Sequence, residues 1–292
     1  MKDLGDCIFG FVGLGLMGGA LARSLRSGKI IGKKGKIFAF DINSETLRTA
    51  CDSGTIDEGF ADPGIMLKQC DVVYVCLNPL SGFRFMETYM NAFQSGSLIT
   101  DIAGVKKNIV TRIENILRSD IDFIPGHPMA GSEKEGFAHA HECSFSGKNY
   151  ILVPLKKNRP ENLSFMKKII RQMGFAKIIE TDAETHDMKI AFTSQLCHIL
   201  AASLIDCESD ISITDFGGGS FEDLTRIAMI NAPMWTELFL ENAEPLISRM
   251  EKFEKSFAGF KQMIQASQKE KLCDTLTGVR KKRIAMSDYQ RA

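Results

Sequence analysis

The sequence predicts a doubly wound α/β domain over residues 1–180, followed by an all-α helical domain over residues 181–292. Three observations carry this. Short apolar runs alternate with amphipathic stretches as far as Glu180, the pattern of a parallel sheet with crossover helices. A glycine-rich segment joins the first apolar run to the first amphipathic stretch. After Thr181 the strand texture stops, and helical spacings take over.

The elements follow in order. Ile8 to Val12 reads as a strand and Leu16 to Ser27 as a helix, then Lys36 to Phe40 as a strand and Glu45 to Ser53 as a helix. Asp71 to Leu77 is a nearly all-apolar run, as expected of a central strand covered on both faces. Ser97 to Asp101 and Asp122 to Pro125 are further strands, separated by a helix from Lys106 to Arg118. Asn149 to Val153 and Ala176 to Glu180 are late strands flanking a helix over Glu161 to Met173. Thr181-Asp182-Ala183-Glu184 has the form of a capping box opening a long helix to Cys207. Ser220-Phe221-Glu222-Asp223 offers a second, opening a helix through Ile230. Leu246, Met250, Phe253, Phe257, Phe260 and Ile264 form a heptad-like stripe behind Pro245. That stripe fits either an intrachain core or a homodimer interface between C-terminal helices. Arg280 to Arg283 reads as a solvated helix end.

Composition removes several function classes. With 36 Lys+Arg against 36 Asp+Glu, the chain has no electrostatic footprint for nucleic acid or an anionic membrane surface. No uninterrupted apolar run reaches the roughly eighteen residues of a membrane helix. Eight cysteines without a C-x-x-C pair, mostly inside apolar stretches, fit scattered buried thiols in a reducing, cytoplasmic setting rather than a disulfide scaffold or a metal site. The apolar stretch Cys7 to Ala22 mimics a signal peptide, but Asp3 and Asp6 precede it and five glycines interrupt it.

Gly13-Leu14-Gly15-Leu16-Met17-Gly18 fits G-x-G-x-x-G between a strand and a helix, and Asp41 ends the next strand. This is the Rossmann-type context for a dinucleotide: glycines for the tight turn and close approach, and a helix N-terminus for the diphosphate. Asp41 is placed to accept from ribose hydroxyls and to repel a 2′-phosphate. With Ile42 and Asn43 following it, NAD is favoured over NADP. Leu77-Asn78-Pro79, ending the central strand, should border the adenosine side. His127, in Gly126-His127-Pro128-Met129-Ala130-Gly131-Ser132-Glu133, follows a strand and so sits at the carboxyl end of the sheet. There it reads as a base that takes a hydroxyl proton while a hydride leaves the same carbon, or as a loop-capping histidine.

The block GHPMAGSEKEG resembles the signature of the prephenate and arogenate dehydrogenases, the TyrA family of tyrosine biosynthesis. So do GLGLMGGALARSL, His186-Asp187, Ser194-Gln195-Leu196-Cys197-His198, and the glycine-rich turn running from Gly217 to Arg226. The resemblance implies an NAD-dependent oxidative decarboxylation of prephenate to 4-hydroxyphenylpyruvate, with arogenate as the alternative substrate. It implies that His127 deprotonates the ring hydroxyl and that Arg226 binds the ring carboxylate, a task suited to a planar fork of donors. Arg226 is also spaced to pair with Glu222 or Asp223 on its own helix. Ser132 and Glu133 match residues at the cleft entrance, Ser194 and His198 residues near the substrate side chain, and His186 a hinge. Asp187, Ala191, Ser194 and His198 share one helix face, expected to line the cleft; a packed core histidine is the other reading of His198.

Two departures stand out: Gly104, where many family members carry a serine bonding the catalytic histidine, and Cys197, where the family usually has proline. The length leaves no expected room for a fused mutase or regulatory domain. A β-hydroxyacid dehydrogenase would share GLGLMG, but needs Asn after its helix lysine, and Lys189 is followed by Ile-Ala-Phe-Thr. A non-enzymatic NAD-sensing protein is the remaining alternative.

Overall fold

The computed structural model describes residues 2–28 and 30–291. By contacts the chain forms two compact units, Met1–Ala243 and Glu244–Ala292. The first is built on a six-stranded, all-parallel sheet of β1 (Ile8–Val12), β2 (Lys36–Phe40), β3 (Glu58–Phe60), β4 (Val72–Val75), β5 (Leu98–Asp101) and β6 (Asp122–Phe123). Its order is β3-β2-β1-β4-β5-β6, so the winding reverses between β1 and β4, where such sheets place ligands. Crossovers run through α1 (Leu16–Ser27), α2 (Ser44–Asp52), α3 (Pro63–Leu67), α4 (Pro79–Tyr89) and α5 (Lys107–Glu114).

Alternation along the strands decides which residues meet which layer. Phe9, Phe11, Val72 and Tyr74 enter the core under α1, with the Phe11 and Tyr74 rings stacked 5.2 Å apart. Val12, Val73 and Val75 enter the opposite core under α5. Both faces are thus covered, which is why β4 and β5 are buried at every position.

A second, three-stranded sheet follows, comprising β7 (Gly126–Pro128), β8 (Asn149–Leu152) and β9 (Lys177–Glu180). β7 is antiparallel to β8, which is parallel to β9 across the connecting α6 (Pro160–Gln172). The expected strands and helices up to Glu180 are present, with three adjustments. Asp71 stays outside β4 because its carboxylate accepts the Ile8 N–H at 2.9 Å. α5 stops at Glu114, short of Arg118. The short β3, α3, α4 and β7 went unread, since three to five residues carry little periodicity and α4 begins at a proline.

From Ala183 the chain is helical. α7 (Ala183–Ile190) is capped by Asp182, whose carboxylate accepts the Thr185 N–H, and not by Thr181. A π-turn over Ala191–Gln195 interrupts the expected continuous helix before α8 (Leu196–Asp206). Together Ala183–Asp206 form a 24-residue stretch containing an 18-residue window of mean hydropathy 1.4, long and apolar enough to cross a membrane by length and composition. It nevertheless carries His186, Asp187 and Gln195, all buried within the first unit. α9 (Gly219–Thr225) begins after Gly218 with no side-chain cap, so Ser220 is not its cap; it gives way to a 3₁₀ turn at Arg226–Ala228 rather than running to Ile230. α10 (Ala232–Glu241) completes the unit.

The second unit contains α12 (Lys269–Arg291) and nearly all of α11 (Ala243–Gln265). Its helices are joined through Ser267, which takes φ 51°. The heptad-like stripe lies on α11, and Pro245 sits in its first turn. Arg280 to Arg283 lie inside α12, not at a helix end.

Candidate active site

The glycine loop shows why each glycine is there. Gly13 takes φ +92°, and a side chain on it would meet the Cys76 carbonyl at 2.9 Å. A side chain on Gly18 would lie 2.1 Å from the Gly13 carbonyl, so this glycine permits the loop to close on α1. Gly15 is the N-cap of α1, offers no side-chain cap, and has nothing within 4 Å of its absent Cβ. The first turn of α1 therefore presents unspent N–H groups to open space, a cradle that fits a dinucleotide diphosphate. The Asp41 carboxylate accepts the Leu14 N–H at 2.7 Å and the Asn43 N–H at 2.9 Å, fastening the end of β2 to the loop.

A cleft of about 620 Å³ runs from this loop towards α8 and α10. Gly15, Leu16, Met17, Gly18, Leu77, Asn78 and Pro79 line it, as do Ser132, Glu133, Ser194, His198, Arg226 and His127. Gly13, Leu14 and Asp41 are not among the lining residues; the Leu14 side chain is buried in the core, so only its backbone faces the loop. Of the expected helix face, Ser194 and His198 line the cleft, whereas Asp187 and Ala191 are buried behind it. The π-turn at 191–195 also brings Gln195 to the wall, where its side-chain amide donates to the Leu238 carbonyl at 2.8 Å.

His127 projects from β7. Gly126 precedes it because a side chain there would strike the Tyr150 hydroxyl at 2.5 Å. The Nδ1 of His127 is 2.9 Å from His186 Nε2, and His186 Nδ1 is 2.7 Å from Asp187 Oδ1. The Asp187 carboxylate in turn accepts the N–H groups of Lys106 and Lys107 at 2.9 and 2.8 Å, at the start of α5. Burial pushes His127 well below the usual imidazole range, with His186 and the Lys106 cation adding to the effect. His186 is also lowered, by burial first, against the opposing pull of Asp187.

Lys106 is fully buried. Its ammonium donates to Asp101 Oδ2 at 2.6 Å and to the Ala103 carbonyl at 2.7 Å, pinning the turn that carries Gly104. A side chain on Gly104 would stand 3.3 Å from Leu238 and 3.8 Å from His127 Nε2, so the space beside this glycine borders leucine and the imidazole edge.

Arg226 does not pair with Glu222 or Asp223. It donates to Glu133 Oε2 at 2.8 Å, across the cleft mouth, and Asn231 donates to Glu135 at 2.8 Å beside it. These two contacts tie the entrance loop, bounded by the positive-φ residues Gly131 and Gly136, to the segment after α9. The Ser132 hydroxyl accepts the Lys134 N–H within that loop. His198 is not a core histidine. Half-buried, it donates through Nδ1 to the Ser194 carbonyl at 2.9 Å and stacks on Trp235, with ring centroids 3.6 Å apart.

Sequence reasoning passed over Trp235, Lys106 and the chain from His127 to Asp187. Trp235 is the single tryptophan, two residues after a helix-starting proline, which could have marked it. A lysine five residues after a strand-ending aspartate was the available sign for Lys106. Of the eight thiols, all are free, and Cys197, Cys207 and Cys273 are exposed rather than buried.

Known proteins share this architecture. Residues 21–180 match the family model for the prephenate dehydrogenase nucleotide-binding domain, and residues 182–278 match that for the prephenate dehydrogenase dimerization domain. Prephenate dehydrogenase of Bacillus subtilis (strain 168) is 30% identical over 260 residues, spanning 87% of this chain and 68% of that protein. Cyclohexadienyl dehydrogenase of Zymomonas mobilis is 26% identical over 250 residues, 83% of each chain. Among solved structures, prephenate dehydrogenase from A. aeolicus in complex with hydroxyphenyl propionate and NAD+ superposes with a TM-score of 0.87 at 33% identity, covering 98% of this chain and 100% of that one. With both domain models matched in sequence order and the glycine loop and His127 meeting in one cleft, the chain belongs to the prephenate dehydrogenase family.

Proposed function

We propose that the chain is an NAD-dependent prephenate dehydrogenase, converting prephenate to 4-hydroxyphenylpyruvate by oxidative decarboxylation. The observation that carries this reading is the cleft itself, which holds the diphosphate cradle at one end and His127, His198 and Arg226 at the other. Bound NAD supplies the hydride acceptor. His127 takes the proton of the ring hydroxyl, because burial keeps its imidazole neutral and able to accept. Arg226 exchanges Glu133 for the ring carboxylate, which its fork can hold by two parallel hydrogen bonds. His198, stacked on Trp235, and Ser194 receive the substrate side chain. Ser132 and Glu133 form the movable mouth. Loss of carbon dioxide then aromatises the ring, so the step does not reverse.

Residues Gly13, Leu14, Gly15, Leu16, Met17 and Gly18 form the diphosphate loop, Asp41 the ribose end, and Leu77, Asn78 and Pro79 the adenosine side. Asp41 already holds the loop through Leu14, which supports an ordered ribose site selective for NAD. In functional terms the domains are 1–180 for cofactor and 181–292 for substrate and dimerisation, in line with family models matching 21–180 and 182–278.

A homodimer through the C-terminal helices is supported by the stripe on α11, where Phe257 and Ile264 are each 63% exposed. A cytoplasmic setting is supported by eight free thiols.

The test is NADH formation with NAD, offering prephenate and arogenate in parallel and identifying the aromatic product. Turnover of prephenate to 4-hydroxyphenylpyruvate supports the reading, and turnover of arogenate alone reassigns the side-chain specificity. No turnover with either, despite NAD binding, moves the protein to the sensing class.

A further inference from the structure

We propose that Asp187 is a positioning residue that fixes His127 as a proton acceptor, acting through His186 in a buried Asp187–His186–His127 chain. This rests on the reading of His127 as the base of the proposed dehydrogenase.

Counting donors at Asp187 fixes its state. Asp187 receives three donors, namely the Lys106 N–H, the Lys107 N–H and His186 Nδ1. A carboxylate meeting that many donors is an ionised acceptor. The N-cap residue of α5, Lys106, caps nothing with its own side chain, so Asp187 of α7 caps this helix from outside and is held in place by it. With Asp187 accepting, His186 carries its hydrogen on Nδ1 and keeps a lone pair on Nε2. His127 Nδ1, 2.9 Å from that lone pair, must then be the donor. The remaining nitrogen of His127, Nε2, is left unprotonated, and it is the one 3.8 Å from the vacant side-chain position of Gly104.

The chain thus selects the tautomer a general base needs, with no hydroxyl at residue 104. Lys106 is the cation that acts on His127, while Asp187 and Asp101 pull on His186 in the opposite sense. Asp101 of β5 is spent on Lys106, and the Lys106 cation, buried in the same cluster, opposes a second proton on either ring. Asn242, after α10, donates to the Asp187 backbone carbonyl at 3.0 Å and fixes the turn of α7 that carries the pair.

The substrate hydroxyl proton passes to His127 Nε2, the C–H electron pair leaves as hydride to the nicotinamide, and the carbon–oxygen double bond forms. His127 becomes an imidazolium whose Nδ1–H still meets His186, with the Asp187 charge behind it. No further proton moves along the chain.

The test reads tautomers directly, by ¹⁵N NMR of the imidazoles in the ligand-free protein, with His127→Asn used to assign the His127 signals. The expected spectrum has His127 protonated on Nδ1 and free on Nε2. In Asp187→Asn the His127 signal becomes a mixture of tautomers, and kcat falls on the order of 10²-fold with KM and NAD affinity retained. If Asp187→Asn does not fold, His186→Leu serves instead, since it leaves Asp187 on the α5 backbone while removing the link to His127. A wild-type His127 protonated on Nε2, or variants with unchanged tautomer and kcat, overturns the proposal. Failure of the prephenate reading leaves the NMR result standing, so the two outcomes separate.

Discussion

Arg226 illustrates how a single residue's partner changes its meaning. Its sequence spacing permitted a bland pair on its own helix, yet it faces Glu133 across the cleft, half-exposed and exchangeable. Arg226→Lys is expected to raise KM for prephenate at least tenfold with kcat little changed, since a point charge cannot reproduce the fork. Steady-state kinetics check this, and an unchanged KM removes Arg226 from the substrate site. His127 and His186 make a prediction about stability as well. Both are held below the ordinary imidazole value of about 6.5, so the native state resists protons that the unfolded chain takes up. Their contribution is intact above that pH and is lost as pH falls from there through the lowered native values. Urea unfolding between pH 7 and 5 should show stability falling more steeply in the wild type than in His127→Gln. The difference should be up to about 1.4 kcal/mol per pH unit for one proton. Equal slopes contradict a buried neutral His127.

At the scale of elements, the loop between β1 and α1 separates two uses of glycine. Gly18→Ala places a methyl 2.1 Å from the Gly13 carbonyl, so the loop must open; we expect a loss of about 1–3 kcal/mol and of NAD binding together. Gly15→Ala places a methyl in open space, so it should leave unfolding unchanged while weakening NAD binding where the backbone must approach the diphosphate. Thermal melts and NAD titrations of both variants check the contrast. Much of this was legible. The bounds of β1, α1 and β2 follow from apolar runs and breakers that leave little choice. The interruption at 191–195 was not legible, because a π-turn needs only one extra residue per turn and arises from tertiary bonds such as Gln195 to Leu238. The capping box at Thr181 misled by one residue, since Asp182 offers an equally good oxygen and the backbone turns after it.

Across the whole molecule, fold class and the meeting of the glycine loop with His127 in one cleft could be read from sequence, although His127 was expected just past a strand of the parallel sheet and instead lies within β7 of the second sheet, antiparallel to β8. What stood behind His127 could not. Asp187 and Lys106 are 81 residues apart, and only the packing of α7 on α5 brings them together. The assembly follows the same logic in reverse. The α11 stripe was readable as a pattern, and its exposure at Phe253, Phe257 and Ile264 supports the proposal that a second copy covers it. Phe257→Glu is therefore expected to halve the mass measured by light scattering, and a wild type that is already monomeric contradicts the dimer.

If this cleft oxidises prephenate with His127 as the base, turnover must depend on that imidazole and on its protonation. The most direct measurement is prephenate-dependent NADH formation by wild type and His127→Asn between pH 5 and 8, alongside NAD binding. Wild-type kcat/KM is expected to be level from pH 8 to about 6.5 and to decline only below it, because burial lowers the folded imidazole. His127→Asn is expected to lose on the order of 10²- to 10⁴-fold in turnover while binding NAD normally. Comparable turnover by the two proteins would contradict it.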